Sequence, residues 1–180
     1  GSLDLVRRYA DLHFDDAVVP STAVVIGPDH GLSVLHRQTR LATVLQCAEM
    51  VGAASRVLQM TLDNARGRHS FGRPLASYQV LKHRFADMKL WLEASFAAVD
   101  GAVEAVARDD DAATDAVSAA KLYVGRHCTD LVQDCIQIHG GMGVTWEHDL
   151  HLYLRRMTTE RQLMGTPADH ARHLASRLAL

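Results

Sequence analysis

The sequence predicts an all-α fold: an up-and-down four-helix bundle preceded by a short extended β remnant. Three observations carry that prediction. Apolar residues recur at spacings of three and four over most of the chain, the signature of helices with one buried face. The hydrophobic fraction is 48% but aromatics make up only 6%, so the core is aliphatic and alanine-rich, where a β-sandwich would want more Tyr, Trp and Thr. Gly- and Pro-bearing breaks then cut the periodic stretches into pieces of helix length.

Residues 1–31 read as an extended segment. Leu12-His13-Phe14, Val18-Val19 and Ala23-Val24-Val25-Ile26 are strand-like, with Pro20 interrupting. Two or three strands make no stable sheet alone, so this segment reads as the edge of a larger domain. Gly27-Pro28-Asp29-His30-Gly31 is a turn cluster. The helical domain then occupies residues 32–180. Its first helix runs from Leu32 to Arg66, with Leu41, Val44, Leu45, Ala48, Val51, Ser55, Leu58 and Leu62 on one face. Gly72 and Pro74 break the chain before a second helix from Ser77 to Arg108, striped by Tyr78, Leu81, Phe85, Met88, Leu92, Phe96, Val99, Val103 and Val106. That stripe is nearly a heptad and suits long antiparallel packing. Asp109-Asp110-Asp111 closes it and offers a carboxylate cap to a third helix, Ala112 to Ile138, which buries Val117, Ala120, Val124, Cys128, Leu131, Cys135 and Ile138. A fourth helix covers His148 to Leu163. A last one runs to Leu180, with Thr166 as N-cap and Pro167 in its first position.

Composition excludes several function classes. The formal net charge is -2 and no basic stripe exists, which argues against nucleic acid and anionic membrane as partners. No uninterrupted apolar run approaches the ~18 residues of a membrane span. The cysteines Cys47, Cys128 and Cys135 form no even framework and no C-x-x-C pair, which points to reduced thiols in a cytoplasmic setting. His148 and His151 stand at i, i+3, but the sequence has no Glu-x-x-His motif and no carboxylate partners at ligand spacing, so no metal is expected.

Two motifs carry chemistry. In Arg68-His69-Ser70-Phe71-Gly72-Arg73-Pro74, followed by Gln79, an arginine stands where a long helix ends. Its planar fork of donors matches phosphate oxygens. Phe71 could cover a flat ring and Gln79 could read an adenine or amide edge. The same residues also suit a plain helix C-terminus with cations near its negative end and a Gly-Pro turn. In Gln137-Ile138-His139-Gly140-Gly141-Met142-Gly143, three glycines allow positive φ and close approach of a ligand to the backbone, or else simply stop the helix.

Together and in this order the two motifs resemble the acyl-CoA dehydrogenase family. Arg-x-x-Phe-Gly-x-Pro with a downstream Gln and Ala86-Asp87-Met88 is similar to that family's signature at the first helix turn. Gln137 to Gly143, followed by Glu147 and Arg155, is similar to its second. Residues 145–156, Thr145-Trp146-Glu147-His148 onward, look especially like actinobacterial members. Leu12 to Pro20 resembles the last strand of the family's middle β-domain, and the likeness runs from Asp11 to the C-terminus.

The resemblance implies α,β-dehydrogenation of an acyl-CoA thioester, in which a carboxylate takes the α proton and the β hydride passes to FAD. It implies dimers or tetramers with FAD across a subunit interface, electron-transferring flavoprotein as acceptor, and a homo- or hetero-oligomer with another dehydrogenase chain. On the matching positions, Arg68 would hold the FAD pyrophosphate of a neighbouring subunit. Phe71 and Gln79 would line the adenosine half, Gln137, Gly140 and Gly141 would touch the same cofactor, and Thr166 would lie near the flavin. The chain departs from the pattern at the base. The family's glutamate precedes Gly-Thr, and that place holds Met164; the alternative site on the first helix falls at Ala42, with Thr43 where an arginine is common. Neither side chain accepts a proton. Glu49, seven residues beyond Ala42, and Glu160, one turn before Met164, are the nearest carboxylates, and a solvated helix-face role suits each better. Three readings remain open: part of an acyl-CoA dehydrogenase, a non-catalytic subunit of a heteromeric one, or a flavin monooxygenase or oxidase on the same bundle.

Overall fold

The computed structural model describes residues 2–109 and 112–177. Five helices follow a long N-terminal segment: α1 (Pro28–Gly67), α2 (Gln79–Ala107), α3 (Ala113–His139), α4 (Leu150–Gln162) and α5 (Pro167–Arg177). A two-stranded hairpin, β1 (His69–Ser70) with β2 (Arg73–Pro74), joins α1 to α2. The expected roles of Asp110 and Asp111 as caps, and the end of the last helix at 178–180, lie outside the described residues.

α3 runs through the middle and packs on each of the other four helices. The main core joins Cys47, Met50, Val51, Ala54, Val57 and Leu58 of α1 with Met88, Leu92 and Val99 of α2, the α3 face from Val124 to Cys135, and Leu150 and Met157 of α4. One 18-residue window of α1 reaches a mean hydropathy of 1.2, which with its length would meet the composition of a membrane span. Half of that window is buried, and residues of the same helix help fill the core of the bundle.

Three expectations are corrected. The segment before α1 contains no strand; it runs as coil and bends with one 3-10 turn at Ser21–Ala23. A strand needs a hydrogen-bonded neighbour, and no described residue supplies one to Leu12-His13-Phe14, Val18-Val19 or Ala23 to Ile26. The presumed turn cluster opens α1 instead: Gly27 is the N-cap, Pro28 lies in the first turn where its missing N–H costs nothing, and Asp29 faces the positive end of the dipole.

The buried stripes are also shifted. Leu41 and Leu45 of α1 are exposed, whereas Thr43 and Gln46 are buried beside Val44 and Cys47. On α2 the seam runs Met88, Leu92, Ser95, Val99 and Ala102, leaving Phe96 and Val103 exposed. Spacing alone selects the larger apolar residue of an adjacent pair, but a close helix contact selects the smaller one. The Ser95 hydroxyl satisfies itself by donating to the Trp91 carbonyl at 2.7 Å.

Candidate functional site: the hairpin end of the bundle

Arg68 is the C-cap of α1, with φ -82° and ψ 127°. The chain then turns back through a two-residue loop in which Phe71 (φ 49°) and Gly72 (φ 79°) both have positive φ, as a tight antiparallel hairpin requires. The hairpin is braced from three sides. Leu75 N–H donates to the Arg68 carbonyl at 2.8 Å, the Tyr78 hydroxyl donates to the Ser70 carbonyl at 2.6 Å, and the Arg73 guanidinium lies 3.9 Å above the Tyr78 ring. Phe71 nonetheless stands 98% exposed in a backbone region that bulky residues avoid.

The second motif meets the first here. Arg68 Nη1 donates to the His139 carbonyl at 2.8 Å, and a Cβ on Gly140, whose φ is 65°, would lie 3.8 Å from that same nitrogen. α3 stops because Gly140 turns the chain into the 3-10 stretch Gly140–Val144. Gly143 permits this turn: a Cβ there would come within 2.7 Å of the Ile136 carbonyl oxygen. The His139 ring is buried beneath, its Nδ1 2.9 Å from the Cys135 carbonyl. Burial lowers its pKa, and the nearby His148 and Arg68 add to this against the Cys135 hydrogen bond, so it is neutral at pH 7. Among the described residues no carboxylate pairs with Arg68. Its guanidinium is held in place but not neutralised, with Gly140 and Gly141 offering bare backbone beside it. A planar fork of donors next to such backbone matches the chemistry of an anionic group.

Gln137 lines a groove of about 270 Å³ between the start of α2 and the end of α3, together with Val80, Leu81, His83 and Arg84. Gln79 lies one turn before His83, their side chains 3.3 Å apart, so both glutamines border the same end. Thr166 is elsewhere. It caps α5, accepting from the Asp169 N–H at 3.2 Å while Asp169 Oδ2 accepts from the Thr166 N–H at 2.8 Å. α5 packs at Gly125, where a Cβ would meet the Pro167 ring at 2.9 Å. Fourteen residues of α3 separate Gly125 from His139, about 21 Å along the axis, so the structure does not bring Thr166 to Arg68.

The expected base positions flank a buried ionic network that the sequence reading missed. Met164 sits at φ 57° and is 48% exposed. Lys121 of α3, fully buried, donates from Nζ to Gln46 Oε1 at 2.6 Å, one turn beyond Ala42, and to the Glu160 carbonyl at 2.5 Å, four residues before Met164. Burial pulls the Lys121 pKa down, and Cys47 and Glu160 only partly oppose it. Of the two nearest carboxylates, Glu160 is no solvated surface group and Glu49 is only partly exposed. Glu160 is completely buried with Oε1 2.5 Å from Arg7 Nη1, and Glu49 is ion-paired to both Arg7 and Arg156. One signal pointed here: Lys121 falls on the same buried stripe as Val117 and Val124.

Residues 29–179 match the family described as "Acyl-CoA dehydrogenase, C-terminal domain". The chain belongs to the acyl-CoA dehydrogenase family. It is 35% identical over 175 residues to the acyl-CoA dehydrogenase IpdE2 of Mycolicibacterium smegmatis, covering 96% of this chain and 50% of that protein. The fold superposes on an acyl-CoA dehydrogenase from Geobacillus kaustophilus with a TM-score of 0.86 at 22% identity, over 93% of this chain and 44% of the other. It superposes equally, TM-score 0.86 at 27% identity over 93% of this chain and 43% of the other, on PigA solved with FAD and proline. The chain thus spans about half the length of the curated relatives it matches. As in the sequence expectation, the helical bundle is that of the acyl-CoA dehydrogenase C-terminal domain.

Proposed function

We propose that this chain is part of a flavin-dependent acyl-CoA dehydrogenase, to which it supplies one edge of an FAD site and an assembly surface but no general base. The observation that carries the first half is Arg68: a guanidinium fixed by the His139 carbonyl, without a counter-charge among the described residues, beside glycine backbone. Such a group fits a diphosphate, and the relative PigA was solved with FAD. Phe71 would cover the adenosine half, Gln79 and Gln137 would hydrogen-bond along it, and Gly140 and Gly141 would admit it to the backbone. Thr166, at a distance from that end, would serve a second flavin contact, consistent with cofactors shared between subunits. Bound FAD supplies the hydride acceptor; the residues of this chain bind and orient it.

The second half, a subunit that is non-catalytic in proton abstraction, rests on the carboxylates. Met164 and Ala42 hold none, Glu49 bridges two arginines, and Glu160 is sealed in the bundle against Arg7. A general base must reach the proton it takes, and these oxygens are engaged by guanidinium groups, with Glu160 also closed off from solvent. The base therefore comes from a residue outside these 180. The substrate class is an acyl-CoA thioester, the acceptor electron-transferring flavoprotein, the assembly one with another dehydrogenase chain, and the compartment the reducing cytoplasm that three free thiols suit. Residues 2–27 belong, on this reading, to the preceding β-domain.

The test is the flavin spectrum on adding acyl-CoA, recorded for this chain alone and assembled with a dehydrogenase chain that keeps the glutamate. Bleaching is expected only in the assembly, and it is expected to survive Glu49→Gln in this chain. Bleaching of FAD bound by this chain alone, abolished by Glu49→Gln, overturns the proposal.

A further inference from the structure

The segment that precedes the bundle is held against it by charge rather than by apolar burial. Leu3, Leu5 and Val6 all remain about half exposed or more. Asp4 is buried, and its Oδ1 accepts from the Val6 N–H at 2.9 Å and the Arg7 N–H at 3.3 Å, a turn that presents the Arg7 side chain to the bundle. Arg7 then reaches between two helices, one nitrogen on Glu49 of α1 and another on Glu160 of α4. Arg156 of α4 closes the ring by bonding Asp4 and Glu49 together. With Lys121 bound to Gln46 and to the Glu160 carbonyl, three cations face three carboxylates in one continuous chain from residue 4 to α1, α3 and α4.

Glu160 is where this chain is most sensitive. It is fully buried, its Oε2 has no hydrogen-bond partner, and Arg7 is its side-chain ion pair. Burial raises its pKa, Glu49 adds to the rise, and Arg7 is foremost among the cations that pull it back. Four residues on, the chain turns through Met164 (φ 57°) and Gly165 (φ 92°), and His170 Nε2 lies 3.0 Å from the Met164 carbonyl. Anything that moves Glu160 moves the start of this turn.

We propose that Arg7 is a positioning residue: it latches the segment ahead of the bundle onto α1 and α4, and through Glu160 it sets the Met164–Thr166 loop. The order of that loop is then conditional on the docking of residues 2–7. That this loop borders the flavin site rests on the reading above, but the latch itself rests on the ion pairs alone.

The test reads backbone hydrogen exchange in the full chain without added cofactor, so its failure is separable from failure of the FAD assignment. Arg7→Met is expected to speed exchange across residues 157–166 by about tenfold or more, leaving residues 88–99 in the α2 core unchanged. Adding Glu160→Gln should reverse most of that effect, because the buried charge no longer needs its partner; a purely packing role for Arg7 would show no such rescue. Arg7→Lys, which keeps the charge on a shorter reach, should lie between, and it decides the matter if Arg7→Met does not fold. Unchanged exchange at 157–166 in these variants, an equal rise in the α2 core, or absence of rescue by Glu160→Gln overturns the proposal.

Discussion

Arg68 Nη1 donates a 2.8 Å hydrogen bond to the carbonyl of His139, joining residues 71 positions apart in the chain. One guanidinium thereby serves two helix C-termini: it caps the end of α3 while standing at the end of α1, where both dipoles favour a cation. The position of His139 depends in turn on Gly143, since a Cβ there would come within 2.7 Å of the Ile136 oxygen and 3.0 Å of the His139 Cβ. Gly143→Ala should therefore destabilise the chain by about 1–3 kcal/mol, the usual effect of overpacking. Urea unfolding checks this, and a cost within a few tenths of a kcal/mol would show that the turn relaxes freely.

Gly125 plays a comparable part at α5. A methyl there meets the Pro167 ring at 2.9 Å, and that ring opens the helix capped by Thr166. Gly125→Ala is expected to cost about 1–3 kcal/mol and to raise hydrogen exchange through α5 more than through α2. Equal changes in both helices would refute a local clash.

The three thiols should be inert while the bundle is folded. Burial pushes the pKa of Cys47 up to about 12, that of Cys128 to about 11 and that of Cys135 to about 12. Thiolate is the reactive form, so iodoacetamide at pH 8 should label none of them in native protein and all three in denaturant. Labelling of any one under native conditions would contradict the packed core.

Acid should act on the ionic network in two opposite directions. Burial alone would raise the Asp4 pKa, but hydrogen bonds from Arg156, Val6 and Arg7 outweigh it and hold the group below 3.8. Its folded form binds a proton less readily than the unfolded chain, so its stabilisation is present above 3.8 and lost as pH falls from there. Burial raises Glu160 above 4.5, with Glu49 adding to it, so its contribution is present below 4.5 and lost as pH rises through the folded value. Unfolding free energies from pH 3 to 7 should show Asp4→Asn flattening the acid side and Glu160→Gln removing the decline on the neutral side. The same pH profile in both variants would contradict these signs.

Much of this architecture was legible in the sequence because helices announce themselves locally. Thr166 and Pro167 mark the start of α5 within a few residues, and Gly140 marks the end of α3. Two features were not legible. The face of α2 that packs was misjudged at Phe96 and Val103, because contact distance between helices, not hydrophobicity, chose Ser95 and Ala102. The ionic network was invisible because its members lie far apart: Arg7 and Glu160 are 153 positions apart, Glu49 and Arg156 are 107. Each alone resembles a surface charge. At the hairpin end, motif spacing named Arg68 and Gly140, but only the fold showed Arg68 bonded within one chain to the carbonyl that precedes Gly140.

FAD binding by the assembled dehydrogenase tests the central claim most directly, with Arg68→Met compared against Arg66→Met. Arg66 is a neighbouring exposed arginine that pairs with Asp63. A charged hydrogen bond to phosphate contributes about 1.5–3 kcal/mol, so Arg68→Met should raise the FAD Kd by about tenfold or more while Arg66→Met leaves it unchanged. Equal FAD affinity in the Arg68→Met protein and the unaltered one would contradict the account.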